Sequence, residues 1–454
     1  MRCSIEATEN LRELVRGWFR TQTSAGCVSE AESIAEEARR VCAQVVLEEA
    51  LLAMSGKPTY RGASVGCVCG ERARFVSYRT RWIKTLAGEA SLVRAYYHCA
   101  SCHRGQAPWD AEQGLNGLVW TPRTKALVSQ ACARLPYREA VGLLKEAEVI
   151  QLEESSAEEI VLEVGARVRR EEAAEEQRVR LSVEAALACK LQVSEEVPEA
   201  AKITPERPVS GTRLYVSLDA AKAHIDAAWH DVKVGAIYTV RPNAEGLDTL
   251  HERTYVASQR QADGFGWQLR TRAAFWGQPA YKETVVVGDG ADYNWKVAEA
   301  HFAGAVQVLD FFHAAQHVWE LSRNLYRQED AREKALGERW AAEMVSTLKE
   351  QGPDRLLRSL KRRKPQTAAG RDALRQALGY FSKNRRRMDY PAFRKRGMMI
   401  GSGPVEAGCK VVVGQRMKLS GMRWSSSGAD SILALRTAVL SQDHARIRRC
   451  AMAI

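Results

Sequence analysis

The sequence predicts a mixed α/β chain in which a strand-and-helix core is interrupted by an α-helical insertion and preceded by helical and small β modules. Three observations carry this. The stretch 284–317, TVVVGDGADYNWKVAEAHFAGAVQVLDFFHAAQH, alternates short apolar runs that end in aspartate with segments of helical spacing. Four cysteines in two pairs bracket two alternating, strand-like runs between residues 67 and 102. A helical and strongly basic stretch, 319–396, separates the core from a closing segment that begins IGSGPVEAGCK.

The totals bound the reading. A chain of 454 residues holds more than one domain and buries a sizeable core. Hydrophobic residues at 45% and charged residues at 27% are ordinary for a soluble protein. The net charge of +12 favours a polyanionic partner, nucleic acid being the commonest, with a solvated basic surface as the alternative. MRCSIEATENLREL is mixed and polar rather than a secretory leader, and no apolar run reaches the roughly 18 residues that cross a bilayer. No membrane association is expected. The 11 cysteines are odd in number and scattered, as reduced thiols of a cytoplasmic protein would be.

Taken in order, residues 1–60 form a helical region, with 29–54 rich in alanine, leucine and glutamate. Residues 61–112 form a cysteine module. Cys67 and Cys69 precede Cys99 and Cys102 by about thirty residues, and 73–82 and 90–97 alternate like strands around Ala87-Gly88. Two knuckles joined by a hairpin give a zinc-ribbon-like layout, whose thiolates hold one structural Zn2+ in place of a larger core. The second knuckle has the usual two-residue spacing, but Cys67-Val68-Cys69 is one residue short, so His98 or His103 is an alternative ligand and a metal-free hairpin the alternative reading. Arg72, Arg74, Arg79, Arg81, Lys84 and Arg94 make this module basic and suit phosphate contact.

Residues 113–193 read as three helices with short joints, beginning at Thr121-Pro122. A DNA-binding helix-turn-helix and a plain helical spacer fit equally; Arg167, Arg169 and Arg170 are the phosphate contacts that the first reading would use. Residues 194–212, with three prolines, are a linker. The core then runs over 213–318: strands at 214–218 (ending at Asp219), 232–240 and 253–257, a helix at 262–275, and strands at 284–287 and 305–309 that end before Asp289 and Asp310. Three strands, a helix, then strand-helix-strand is an RNase H-like order, with the first strand in the middle of the sheet. Carboxylates at strand ends lie where open α/β sheets build their sites, although each aspartate alone reads equally as a turn or cap residue.

The basic insertion spans 319–399 and carries Lys361, Arg362, Arg363 and Lys364, then Lys383, Arg385, Arg386 and Arg387, then Arg394, Lys395 and Arg396. We read it as a track for the DNA backbone in preference to a solvated helix face. Residues 400–454 complete the core. Glu406 falls in the first turn of a helix, and Arg416, Lys418, Arg423 and Trp424 form a basic and aromatic cluster after it.

Four pieces together resemble one family: RAYYHCASC, GDGADYNW, LDFFHAAQH and GSGPVEAGCK with QRMKLSGMRW. From about Gly66 to Leu440 the chain is similar to bacterial insertion-sequence transposases of the ISKra group, within the Mutator-related DDE superfamily. The resemblance implies an RNase H-like core interrupted by a helical insertion, and Asp219, Asp289 and Glu406 as the catalytic triad. It implies two Mg2+ (or Mn2+) ions held by those carboxylates, with Asp219 shared between them. The partner it implies is double-stranded DNA, at transposon ends and at the target, bound by a homo-oligomer in the bacterial cytoplasm. Asp310 and His313 take a supporting part, with a fourth metal ligand or a DNA contact as the alternatives. Two departures stand out: Ala220 follows Asp219 where glycine is usual, and the first cysteine knuckle is short. The competing readings are a metal-dependent nuclease of the same fold and a catalytically inactive, transposase-derived DNA-binding protein; acidic residues at all three triad positions argue against the last.

Overall fold

The computed structural model describes residues 13, 15–17, 27–115, 119–190, 202–209, 211–242 and 248–452. Most of the expected helical start before residue 27, and linker residues 194–201 and 210, lie outside the described residues. The chain divides into two units. One comprises residues up to Thr124 with Leu143–Gln151, and the other Lys125–Gly142 with Leu152 onward.

In the first unit, helix α1 (Val28–Met54) docks through Leu47 and Leu51. A four-stranded antiparallel sheet follows in the order β1 (Ser64–Gly66), β2 (Arg72–Thr85), β3 (Gly88–Cys99), β4 (Gly105–Gln106). The expected hairpin is present and longer than its alternating runs, because the ladder continues from Thr85↔Gly88 to Ala73↔Cys99. Ile83, Ala90 and Leu92 pack with Trp109 and Leu115, and α2 (Pro108–Glu112) supplies Trp109. The same short helix buries Asp110, which pairs with Arg81 at 2.8 Å and Arg94 at 3.1 Å. Those two arginines therefore neutralise an internal acid, a correction to their expected phosphate contacts; a buried carboxylate needs such partners.

Helices α3 (Pro122–Arg134), α4 (Tyr137–Glu146) and α5 (Glu154–Lys190) come next. The core follows as β5 (Arg213–Ile225), β6 (Ala228–Pro242), β7 (Asp248–Ser258), α6 (Ala262–Phe275), β8 (Glu283–Gly288), α7 (Asp292–His301) and β9 (Val306–Leu309). The insertion is broken into α8 (Phe311–Leu325), α9 (Ala331–Gln351), α10 (Pro353–Lys361), α11 (Ala368–Lys383), a 3₁₀ turn Arg385–Arg387 and α12 (Tyr390–Lys395). Asp330 and Thr367 cap α9 and α11 through their side chains, which is where the expected long helix is interrupted. Helix α13 (Gly403–Gly408), a π-helical turn Cys409–Gly414, α14 (Gln415–Met417), α15 (Ser426–Leu440) and α16 (His444–Met452) close the chain. Among the described residues no helix is long and apolar enough to cross a membrane.

The second unit holds a five-stranded mixed sheet in the order β7-β6-β5-β8-β9. β5 is central, antiparallel to β6 and parallel to β8, and β8 is parallel to β9. Helices α6 and α7 cover one face, where Phe265, Leu269, Val297, Ala298 and Phe302 pack on Leu214, Val216, Leu218 and Val286. Val285 and Val287 are equally enclosed, and burial on both faces is why β8 reads as an unbroken apolar run. One strand end differs from expectation. β5 continues through Asp219 to Ile225, because β6 accompanies it to Ala228 while its parallel partner stops at Gly288.

Helix α5 belongs to this core. It crosses α15 at Gly165, where a Cβ would lie 2.5 Å from the Ser431 Cβ, so only glycine permits the approach. Arg167 pairs with Glu163 at 2.7 Å and Arg169 with Glu172 at 2.7 Å and Asp430 at 3.2 Å. Of the three arginines expected to touch phosphate, Arg170 alone is exposed.

Candidate metal centre

The site begins with strand register. Leu218 is level with Gly288, and Gly288 with Leu309, so the next residues on three adjacent parallel strands are Asp219, Asp289 and Asp310. Neighbouring strands run about 4.8 Å apart, which sets these carboxylates in a row. Glycines make the row possible. A Cβ on Gly288 would lie 2.9 Å from the Asn294 side chain, and Gly290 turns with φ 96°. The turn lets Asp289 accept from the Ala291 amide at 2.9 Å and the Asn294 amide group at 2.7 Å. Asp219 accepts from the Ala220 amide at 2.7 Å.

Glu406 arrives from the far side of the insertion. Tyr390 is buried and donates to the Leu309 carbonyl at 3.0 Å, and the Phe311 amide donates to Ile400 at 2.9 Å. These bonds return the segment before α13 to the end of β9. There Ser402 joins two acids: its amide donates to Asp310 Oδ2 and its hydroxyl to Glu406 Oε1 at 2.9 Å. One potential ligand atom each from Asp310, His313 and Glu406 lies within 4.8 Å of the others. Asp219 and Asp289, expected to share ions with Glu406, are not in this group, although both act electrostatically on His313 or feel its charge. The sequence expectation gave Asp310 and His313 a supporting part; the geometry draws them as close to Glu406 as ligands of one ion would be.

The electrostatics follow from burial and donors. Burial raises the Asp219 carboxyl above its usual range, and the neighbouring Asp289 charge adds to it. Burial also opposes charge on Asp310, but the His313 ring, the His313 amide and Ser402 outweigh it and hold Asp310 low. The hydrogen bond to Asp310 raises His313, and the charges of Asp289 and Glu406 help.

Three residues here escaped the sequence reading. Cys409, in the π-helical turn after α13, is hydrogen-bonded to Asp219, and burial pushes its thiol up. Tyr293 and Tyr380 keep buried hydroxyls without a protein partner, and Asp289 lies near both. Tyr293 belongs to GDGADYNW, a segment already singled out, whereas nothing in the sequence points from Tyr380 to the row.

The basic residues divide. Lys361, Arg362, Lys364, Arg386, Lys418 and Arg423 are exposed. Arg363 lies over the Trp340 ring at 4.8 Å, and Arg385 pairs with Asp354. Arg387 lies over Trp295 at 4.4 Å and donates to Gln307 at 2.7 Å, so it holds the insertion to the sheet. Arg416 is a clear departure from expectation. It is 0% exposed, lies between the Tyr137 and Trp424 rings at 5.1 and 5.0 Å, and donates to the Cys132 carbonyl at 2.7 Å. It satisfies the C-terminal end of α3, where helix carbonyls lack partners. Trp424 is buried with it, its indole N–H donating to Met417. Neither presents its polar group to solvent.

The second metal-sized group lies in the other unit. Ligand atoms of Cys67, Cys69, Cys99 and Cys102 lie within 4.8 Å of one another, with Cys67 3.5 Å from Cys102 and Cys69 3.7 Å from Cys99. A zinc tetrahedron with bonds near 2.3 Å has sulfur–sulfur edges of about 3.8 Å, so the donor set fits zinc. The short first knuckle closes because Gly70 turns with φ 90° and the Cys67 amide bonds to Glu71. His98 and His103 are not in the set. The Cys102 amide lowers the Cys99 thiol to about 7. Against the Arg104 amide, burial and the three other thiols push Cys102 up to about 12.

In comparisons with known proteins, no family model matches this chain and no curated sequence matches it.

Proposed function

We propose that the chain is a metal-dependent DNA transposase of the DDE kind, akin to insertion-sequence transposases of the ISKra group, built on an RNase H-like core. One observation carries the reading: Asp219, Asp289 and Asp310 follow level positions on three adjacent parallel strands, where β8 and β9 end and β5 runs on, and Glu406 returns to that edge from beyond a helical insertion. The sheet order, with the first strand central between antiparallel and parallel neighbours, supports an RNase H-like core.

The residues fit hard divalent cations. Clustered carboxylate oxygens suit magnesium or manganese, and the unpartnered hydroxyls of Tyr293 and Tyr380 suit an ion's hydration or a phosphate. Asp219 would be the shared ligand, with Asp289 and Glu406 each completing one ion. When bound, two such ions stabilise the attacking and leaving oxygens of an in-line displacement at phosphorus. The protein's own part is positional. Asn294 and the Ala291 amide orient Asp289, Ser402 orients Glu406, and Ala220 holds Asp219. Pooled negative charge repels the DNA backbone, and the exposed Lys361, Arg362, Lys364, Arg386, Lys418 and Arg423 offset this by neutralising phosphates. The four cysteines hold one structural zinc, and a second copy of the chain on the DNA completes the assembly.

The test is cleavage of labelled duplexes that carry the DNA flanking the gene, in Mg2+ or Mn2+. Wild type should nick or join strands, while Asp219→Ala, Asp289→Ala and Glu406→Ala should bind DNA without cutting. Binding without any cleavage by wild type would instead support the inactive DNA-binding reading.

A further inference from the structure

Resting on the metal-centre reading above, we infer that His313 supplies a nitrogen ligand, through Nε2, to the ion that Glu406 holds, and that Asp310 is its positioning residue. Asp310 is fully enclosed, and its Oδ1 accepts both the His313 amide at 2.8 Å and His313 Nδ1 at 3.2 Å. Its Oδ2 accepts the Ser402 amide. A carboxylate has about four lone-pair sites, and protein donors take three of these. Asp310 is thus committed to orientation. A proton on Nδ1, donated to Asp310, leaves the Nε2 lone pair free, the arrangement by which carboxylates orient metal-binding imidazoles.

Glu406 shows the same division, with Oε1 accepting from Ser402 and the second oxygen without such a bond. Ser402 thereby fixes Asp310 and Glu406 relative to each other, and His313 lies within 4.8 Å of both. The side chain of His313 is about a third exposed, so it faces an opening rather than the core. His317, one turn along α8, differs. Its ring packs on Tyr380 at 3.8 Å between centroids and Nδ1 is 3.5 Å from Glu320.

The two halves of the centre then differ in chemistry. Asp219 and Asp289 offer oxygen alone, which suits magnesium. Glu406 with His313 offers oxygen and nitrogen, and imidazole favours manganese over magnesium. The ion at Glu406 is the one that should discriminate between metals.

The experiment uses the full chain, supplied first with zinc for its thiols and then with Mn2+. Pulsed electron paramagnetic resonance reads 14N coupling from a directly bound imidazole. Wild type should show it, His317→Gln should keep it, and His313→Gln and His313→Asn should lose it while still binding Mn2+ through the carboxylates. Asp310→Asn should weaken Mn2+ binding by about 10- to 100-fold, as loss of an orienting partner does. Mn2+ binding that depends on Glu406 but shows no 14N coupling, or coupling that survives both His313 substitutions, overturns the nitrogen ligand. Absence of Mn2+ binding in wild type overturns the metal centre itself.

Discussion

Asp310→Asn is the most informative single substitution. Asp310 is enclosed and accepts from the His313 amide, the His313 ring and the Ser402 amide. Asparagine caps a helix about as well as aspartate, so the amide bond at the start of α8 survives. The other side of the group changes sign. An asparagine NH2 facing the Ser402 amide sets donor against donor in an enclosed space, at about 1–3 kcal/mol. Loss of the charged partner of His313 adds roughly 1 kcal/mol, since that ring is partly solvated. The expected loss is about 2–4 kcal/mol, or roughly 3–6 °C in the unfolding midpoint of a unit this large. It should depend on pH. Asp310 is held low, so its contribution is present above its unfolded value near 4 and is lost as pH falls through the folded one. His313 is raised, so its contribution is full below its unfolded value near 6.5 and is lost as pH rises through the folded one. The gap between wild type and Asp310→Asn, measured by thermal unfolding in chelator, should therefore be widest between about pH 4.5 and 6.5 and narrow on the alkaline side. An equal gap at pH 5.5 and pH 8.5, or a variant as stable as wild type, would refute the proposed coupling.

Other outcomes are as specific. Purified chain should carry about one zinc, and Cys99→Ser or Cys102→Ser should bring metal analysis well below that, since four thiolates define the site. Replacing Lys361, Arg362 and Arg386 with alanine should weaken binding of unrelated DNA as much as element-end DNA and flatten the salt dependence by up to about one unit per lost contact; an unchanged salt slope rejects the backbone track. Arg416→Ala should leave the salt slope alone and cost about 2–3 kcal/mol in a denaturant titration, because it strips bonds and bulk from a buried site. Gly165→Val should lower stability by at least about 1–3 kcal/mol through its clash with Ser431, also read by denaturant titration.

Much of this protein was legible in the sequence because the governing signals are local. Apolar runs closed by Gly-Asp or Leu-Asp mark β8 and β9, and helical spacing marks α6 at 262–275 without error. Each depends on alternation or on a turn that a few adjacent residues determine. The cysteine pairs belong to the same class, and the hairpin between them brings Cys67 and Cys69 to Cys99 and Cys102 despite one missing spacer residue.

Tertiary structure alone decided which charges are free. Arg416 and Arg386 look alike in sequence, yet one caps carbonyls of a helix 284 residues away and the other faces solvent. Arg81, Arg94, Arg167, Arg169 and Arg387 likewise found internal partners on elements distant in sequence, the Cys450 carbonyl in the case of Arg167. The same holds at the site: Asp310 and His313 closed on Glu406 through Ser402, 92 residues from Asp310, and no spacing encodes that. The physical reason is that periodicity reports which face of an element is apolar. A charge's role instead depends on which carbonyl, carboxylate or solvent the finished fold sets against it.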